Sequence, residues 1–328
     1  MEKIGTQIYL VTANDSNIHG TVFGGKVMEW ADLSASFVAK RYADSPVLTA
    51  SLDRIDFLSP IQVGEEAHMT PRLVYVSAHT MYIQVDIQSV NPFTGVKRQT
   101  GCTVFSFVAL DAKTKNMVKV PRLSKAVAKF WNITDAMIKK YQVIHQERKK
   151  LRKSVRPKRS HQAMEFLGTN PARSIESSVV ENHQLVMPGD QNTIGLLFAG
   201  RYLAWVDIIG SMSARRHCES PVVTANIEEV IFKQRVPMGS TIRLIAKPIF
   251  ASKHSVQIQV SGWMWGEDLR PDLKVADAYL TFVALDGHSK RAKAIPNLSV
   301  SSPEENALFL EGQARYLRSR SKQRSKKK

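Results

Sequence analysis

Asp207 is the only charged side chain between Arg201 and Arg215, in a stretch, RYLAWVDIIGSMSAR, that is apolar or small on every side. Read as a helix, such a stretch has no polar face and is buried. A carboxylate in the middle of a buried helix is costly unless it is paired, hydrogen-bonded or put to use. Two readings follow: a structural Asp bonded to a neighbouring loop, or a carboxylate kept for catalysis. Asp32 stands at the matching place in a second stretch, Lys26 to Lys40, rich in helix formers (Met28, Glu29, Ala31, Leu33, Ala35, Ala39). Recurrence at the same place favours use. A flexible bend precedes each helix, Gly20-Thr-Val-Phe-Gly24-Gly25 in the first case. The first amides of the helix lack partners there and face whatever packs over the glycines.

The elements that position these groups occur twice. Asn17 and Asn192, Gly20 and Gly195, Phe23 and Phe198, Trp30 and Trp205, and Asp32 and Asp207 all differ by 175 positions, and the same offset holds as far as Pro121 and Pro296. The chain is an internal duplication. Residues 4 to 11 read as a short strand and Thr12 to Asn17 as a polar turn. After Pro46 the period changes to alternation, and VLTASLDRIDFLSPIQVG, EEAHMTPRLVYVSAH, TMYIQVDIQSV and QTGCTVFSFVAL predict four antiparallel strands, with a turn from Asn91 to Gly95. The second copy repeats the pattern. Each copy is therefore α+β, a strand, a long buried helix and a strongly curved antiparallel sheet wrapped around it.

The 328 residues give about two domains by the usual length prior, in agreement with the repeat. The expected division is a first unit over 1–123, a helical basic linker over 124–175, a second unit over 176–300, and a helix with a basic disordered tail over 301–328. The formal charge is +17, and its location decides its meaning. Ten basic residues and one acid lie between Lys139 and Arg159, and eight basic residues and no acid between Arg315 and Lys328. The remainder holds 46 − 18 = 28 basic and 29 − 1 = 28 acidic residues, so the repeated bodies are neutral. A duplex-binding fold would carry its basic stripe on itself, which makes nucleic acid an unlikely partner of the units. Such charge runs read as solvated helix faces and frayed tails. Phe130, Trp131, Ile138, Tyr141 and Ile144 are the expected packing residues of the linker. Cys102 and Cys218 have neither ligand spacing nor equivalent positions, so no metal site and no disulfide framework is expected. Without a membrane-spanning run or an export signal, a soluble cytoplasmic protein is expected.

The string Asp15-x-Asn17-x-x-Gly20-x-x-Phe23-Gly24-Gly25, followed by Asp32 on a long helix, resembles the signature of hotdog-fold acyl-CoA thioesterases, and its duplication resembles their tandem members. The resemblance covers residues 3 to 123 and 176 to 300. It implies two hotdog domains paired as a pseudo-dimer, with an active site across the interface that hydrolyses a fatty acyl-CoA to free acid and CoA. Carried over by position, it implies one site from Asn17 and Asp207 and a pseudo-symmetric one from Asn192 and Asp32. The Asp would be general base or nucleophile and the Asn amide would position water or thioester. The helix-start amides, at Gly24 and Gly25 and at Ala199 and Gly200, would stabilise the oxyanion. Ala199 for Gly24 and Ile194 for His19 depart from the pattern, which favours the Asn17 and Asp207 site. The basic turns with Lys115 and Lys119, and with Lys290, Arg291 and Lys293, resemble those near the nucleotide end of CoA in related thioesterases. No cofactor is implied beyond the CoA of the substrate, and further association into a trimer of such chains is. A non-catalytic acyl-CoA sensor whose basic segments bind nucleic acid is the alternative, and a hydratase ranks lower, because His19 has no counterpart in the second copy.

Overall fold

The computed structural model describes residues 5–151, 171–265 and 273–325, with side chains described for 5–148, 171–265 and 273–319. The first copy runs β1 (Gln7–Leu10), α1 (Gly24–Ala43), β2 (Val47–Leu52), β3 (Ile55–Asp56), β4 (Glu66–Val76), β5 (Thr80–Val90) and β6 (Lys97–Ala109). The connector holds α2 (Lys125–Phe130) and α3 (Asp135–Leu151). The second copy runs β7 (Ala172–Ser174), β8 (Val180–Leu185), α4 (Ala199–Cys218), β9 (Val222–Ile227), β10 (Val230–Ile231), β11 (Thr241–Ala251), β12 (Ser255–Trp265), β13 (Leu273–Ala284), β14 (Asn297–Ser299) and α5 (Pro303–Ser325).

Two six-stranded sheets result, in the orders β1-β4-β5-β6-β2-β10 and β3-β9-β13-β12-β11-β8. Each ends on a two-residue strand from the other copy. Ser51 and Leu52 pair with Ile231 and Val230, and Ile55 and Asp56 pair with Ile227 and Asn226, in one antiparallel register. Asp53, Arg54, Glu228 and Glu229 lie in the gap between the two short ladders. Phe57 N–H donates to Ala225 O at 2.9 Å and Phe232 N–H to Ala50 O at 3.1 Å, so the main-chain pairing continues on both sides. The copies are thus joined through their sheets, as a pseudo-dimer of hotdog units.

Helices α1 and α4 lie inside this double sheet and cross each other at their first turns. A Cβ on Gly25 would stand 2.7 Å from Ala204 Cα, and one on Gly200 2.8 Å from Glu29 Cα. The second glycine of each bend is therefore required by helix-to-helix packing. Both helices are longer than the expected 26–40 and 201–215, because Lys40, Arg41, Arg215, Arg216 and His217 fall inside the last turn, where cations suit the helix dipole. Asp44 and Glu219, at φ 49° and 48°, close them in the left-handed region. The expectation of burial all round needs correction. Leu33, Phe37, Ile208 and Met212 are 36–48% exposed, because sheet and partner helix cover only part of each circumference.

The connector packs as expected through Trp131 and Tyr141, both buried, and through Phe130, Ile138 and Ile144, which are partly buried. Two cations of the basic segments are not solvated. Arg148 of α3 is buried and bonds Asp53 and Glu229, while Arg315 of α5 bonds Glu228 at 2.6 Å and Glu311 at 2.8 Å and lies on the Tyr279 ring. Of these partners Asp53, Glu228 and Glu229 come from both copies and lie in the gap at the seam. At the C-terminus α5 continues to Ser325, with Ser319 buried and accepting from Arg54 at 2.7 Å, and the end of the expected disordered tail, 326–328, lies outside the described residues. Half of the linker's ten basic residues, those from 152 onward, lie outside the described residues.

Candidate active site

The first site is built on the loop from Asn17 to Phe23. Asn17 Oδ1 accepts from the His19 amide at 2.8 Å and Asn17 Nδ2 donates to Thr21 Oγ1 at 2.9 Å. Gly20, at φ 74°, turns the chain back so that Asn17 N–H reaches Thr21 O at 2.8 Å. The amide nitrogen of Asn17 carries two N–H groups, and Thr21 takes one of them. Asn192 makes the same turn, with Oδ1 accepting from Ile194 and Leu196 amides at 3.0 and 3.2 Å. Leu196 stands where Thr21 does and offers no hydroxyl.

Both carboxylates are fully buried and each reaches into the other copy. Asp207 Oδ2 accepts from Gly25 N–H at 2.6 Å and its Oδ1 from Thr224 Oγ1 at 2.8 Å. Asp32 Oδ2 accepts from Gly200 N–H and its Oδ1 from Thr49 Oγ1, both at 2.8 Å. Each Asp therefore sits at the positive end of the opposite helix. Burial pushes Asp207 up to about 6 and Asp32 up to about 7, from an ordinary 3.8, with the hydroxyl and amide donors opposing the rise. A carboxylate tuned to this range ionises near neutrality and is basic enough to take a proton from water. Thr49 and Thr224, a hydroxyl repeated at the third position of two equivalent strands, are the site residues that the sequence reading missed. Their 175 offset was the available signal.

The amides divide differently from the expectation. Gly25 and Gly200 give theirs to the carboxylates and are not free for an oxyanion. Gly24 N–H has no partner among the described residues and lines a cavity of about 610 Å³. Asn17, His19, Thr224, Arg215 and Lys290 also line it, with an apolar wall that includes Leu58, Pro60 and Ile61. Asp207 lies directly behind this surface. Asp207 is itself outside the lining, and a Cβ on Gly24, which is part of it, would stand 2.9 Å from Asp207 Oδ2, so only this glycine's backbone lies between them. His19 Nε2 is buried without a partner, and burial followed by the charges of Lys290 and Arg215 holds its pKa below the ordinary value.

A second cavity of about 610 Å³ lies at the pseudo-equivalent place, lined by Thr49, Ala199, Tyr202 and Phe232 among others. Asn192 is not part of its lining. The methyl of Ala199 occupies the position that Gly24 leaves empty, and Tyr202 replaces Val27. Of the five expected CoA-binding cations, Lys290 lines the first cavity and Lys115 donates to Ile194 O at 2.7 Å beside the second. Lys119, Arg291 and Lys293 are exposed and line neither cavity.

The model of the Thioesterase superfamily matches residues 19–92 and again 194–265, two spans that include Asp32 and Asp207. A human protein named cytosolic acyl coenzyme A thioester hydrolase is 26% identical over 321 residues, 95% of this chain and 82% of its own. The mouse protein of that name is 26% identical over 332 residues, covering 98% and 85%. A solved structure from Lactobacillus plantarum, named for an oleoyl thioesterase, superposes with a TM-score of 0.55 at 12% identity over 86% of this chain and 96% of its own, a likeness of fold. With the unit matched twice, the relatives similar over nearly the whole length and the two wrapped helices joined at one seam, the chain is a tandem of two Thioesterase superfamily units in the hotdog fold, similar over nearly its whole length to acyl-CoA thioester hydrolases.

Proposed function

We propose that the chain hydrolyses fatty acyl-CoA in the cytosol, at a site formed between the two hotdog units by Asp207, Asn17 and Gly24. The observation that carries this reading is the bare backbone at Gly24, which puts a raised-pKa carboxylate, an unpartnered backbone amide and an Asn amide at one cavity. The acyl chain lies along the apolar wall. The thioester carbonyl accepts from Gly24 N–H and the second N–H of Asn17, both placed where negative charge develops. Asp207 acts as base, because a fully buried carboxylate behind the backbone of Gly24 is reached by water more readily than by the thioester carbon. It takes a proton from water as the water oxygen attacks. The tetrahedral intermediate then expels the CoA thiolate, giving free acid and, after protonation, free thiol. Lys290 and Arg215 stand at the cavity to meet the phosphates of CoA. No group besides the substrate's own CoA is required.

Release of free thiol from a panel of acyl-CoAs by the purified protein tests the reading, and no release from any of them overturns it. The exposed apolar residues of α1 and α4 offer a surface for the further association that the reading includes, a trimer of such chains. The sensor alternative gains nothing from the site, whose carboxylates are held and tuned in both copies.

A further inference from the structure

One end of the first sheet gathers exposed apolar side chains. Leu10 pairs with Glu66, Glu66 with Val90 and Val90 with Lys97, so β1, β4, β5 and β6 all finish or begin at this end. Gly64 N–H donates to Val11 O at 2.9 Å and Val63 N–H to Gly20 O at 3.0 Å, which ties Val63 and the Asn17–Phe23 loop to the same end. Leu58 N–H donates to Thr100 O at 2.8 Å and Ser59 Oγ to Gln99 O at 3.0 Å, which sets the Leu58 wall of the first cavity against the start of β6. The turn between β5 and β6 lies beyond it. Asn91 Oδ1 accepts from the amides of Phe93 and Thr94 at 2.9 and 3.0 Å, and Gly95, at φ 69°, returns the chain. Phe93 stands on this tip 94% exposed, more than any other large apolar side chain among the described residues. Leu10, Ile18, Leu58, Val63 and Val96 are exposed as well. Apolar side chains gathered at one place on a surface mark a site of protein or membrane contact.

The charges of this end are one-sided. Glu65 is answered by Arg98 at 2.6 Å, Glu66 by His68 at 2.7 Å and Asp15 by Lys26 at 3.9 Å. Lys97, exposed beside Val96, pairs with no carboxylate among the described residues, and Lys290 and Arg215 add two cations at the cavity. Apolar tips flanked by cations suit an anionic lipid surface, where the tips enter the acyl region and the cations meet headgroup phosphates. Separate loops carry the six apolar side chains, an arrangement that a fluid layer accommodates and a rigid partner face would have to match one by one. The second cavity lacks this entrance, because Thr193 and Lys233 stand where Ile18 and Leu58 do.

We propose that this end of the first unit docks on an anionic lipid surface, with Phe93 and Val96 inserted, and takes fatty acyl-CoA from it past Ile18 and Leu58 into the first cavity. A fatty chain that enters this way passes from bilayer to apolar wall without crossing water. The uptake rests on the thioesterase reading; the docking rests on the exposed side chains alone.

Flotation of the full-length protein with vesicles of phosphatidylcholine and phosphatidylserine tests the docking. Phe93→Ser with Val96→Ser should lower the bound fraction at least about fivefold and leave Tm unchanged, since both side chains are exposed. Phe93→Trp should keep binding, and its emission, taken as the difference from the unsubstituted protein, should shift to the blue when vesicles are added. Leu185→Ser with Met187→Ser, exposed at the matching end of the second unit, is the control and should leave binding unchanged. On vesicle-borne palmitoyl-CoA the Phe93 and Val96 double variant should turn over at least about fivefold more slowly, while kcat/KM for butyryl-CoA in solution stays within about twofold. No flotation of the unsubstituted protein, flotation that ignores the double substitution, or an equal loss from the control overturns the proposal. Dissociation of a larger assembly by Phe93→Ser also overturns it and makes a second copy the occupant. Absent turnover of both substrates beside flotation that the double substitution abolishes would sink the thioesterase reading and keep the docking.

Discussion

Asp207 is held by two donors and faces the Cα of Gly24 with no side chain between, and each feature has its own expected consequence. Asp207→Asn removes the base and should lower turnover about a hundredfold or more with little change in KM; Asn17→Ala added to it should cost far less than the product of the separate losses. Asp32→Asn, on the Ala199 side, should leave at least about half the activity. Steady-state kinetics on the three variants decides whether this assignment or its reverse holds. Turnover should rise with pH through about 6, the value of Asp207, because only the ionised form is a base. Thr224→Ala removes a donor to the ionised carboxylate and should move that rise to higher pH. Gly24→Ala is the sharpest residue test: a methyl 2.9 Å from Asp207 Oδ2 and 3.2 Å from Thr224 Cβ should cost turnover at least about tenfold and lower Tm, because a buried carboxylate held by two donors must shift to admit it. The same burial sets a stability term of definite sign. Both folded carboxylates hold their proton above 3.8, to about 6 and about 7, so the contribution is fully present below about pH 4 and is lost as pH rises through these values. Asp32→Asn should therefore shrink the fall in unfolding free energy between about pH 5 and about pH 8 by about 2 kcal/mol, as read by urea titration at each pH.

Helices α3 and α5 look like appendages in the sequence and act as straps in the fold. Arg148 and Arg315 each reach into the gap at the seam, where Asp53, Glu228 and Glu229 from both copies are brought together. Arg148 is buried, so Arg148→Ala leaves two carboxylates without their partner and should lower stability by about 3 kcal/mol or more. Phe309 and Tyr316 pack on Phe250, and Gly312 lies so close that a Cβ would stand 2.7 Å from Phe250 Cβ. Truncation before Pro303 should therefore destabilise the second copy, whereas truncation after Ser319 should leave Tm and turnover nearly unchanged. Thermal melts of the two truncations make the comparison. A large loss of turnover from the shorter deletion would mean that the basic tail contributes to the site.

For the molecule as a whole, the seam makes each copy incomplete alone. Each sheet borrows its last strand, and each carboxylate accepts from an amide of the other copy's helix. Either half expressed separately should be unstable or should pair with itself, which sedimentation would reveal. Self-pairing of the second half would juxtapose Asp207 with Gly200 behind Ala199, and such a species should turn over poorly. The exposed Leu33, Phe37, Ile208 and Met212 lie at equivalent places on the two helices, and their replacement by Ser should dissociate any assembly larger than the single chain. A protein that sediments as one chain before the change would rule out the trimer.

The duplication, the order of elements and the α+β class were legible in the sequence, because hydrophobic period and a fixed offset are properties of the chain itself. Asp207 announced itself as a lone charge in an apolar helix, and Asp32 by standing at the matching place of the repeat. What the sequence left open depended on atoms far apart in the chain. Gly24 and Gly25 read alike as letters, yet one is small where a carboxylate lies behind the cavity wall and the other so that two helices can cross. The amide of Gly25 was expected to meet the substrate and instead holds Asp207, a contact set by the depth of the crossing. Thr49 and Thr224 were read as ordinary strand residues, since nothing local marks which hydroxyl faces a helix on the same sheet. Arg148 and Arg315 were counted with a solvated charge run, because their partners lie at a seam formed only when the copies join. Local pattern fixes which elements form; the distance between elements, decided by tertiary packing, determines which polar atoms are spent on one another and which stay open to a ligand.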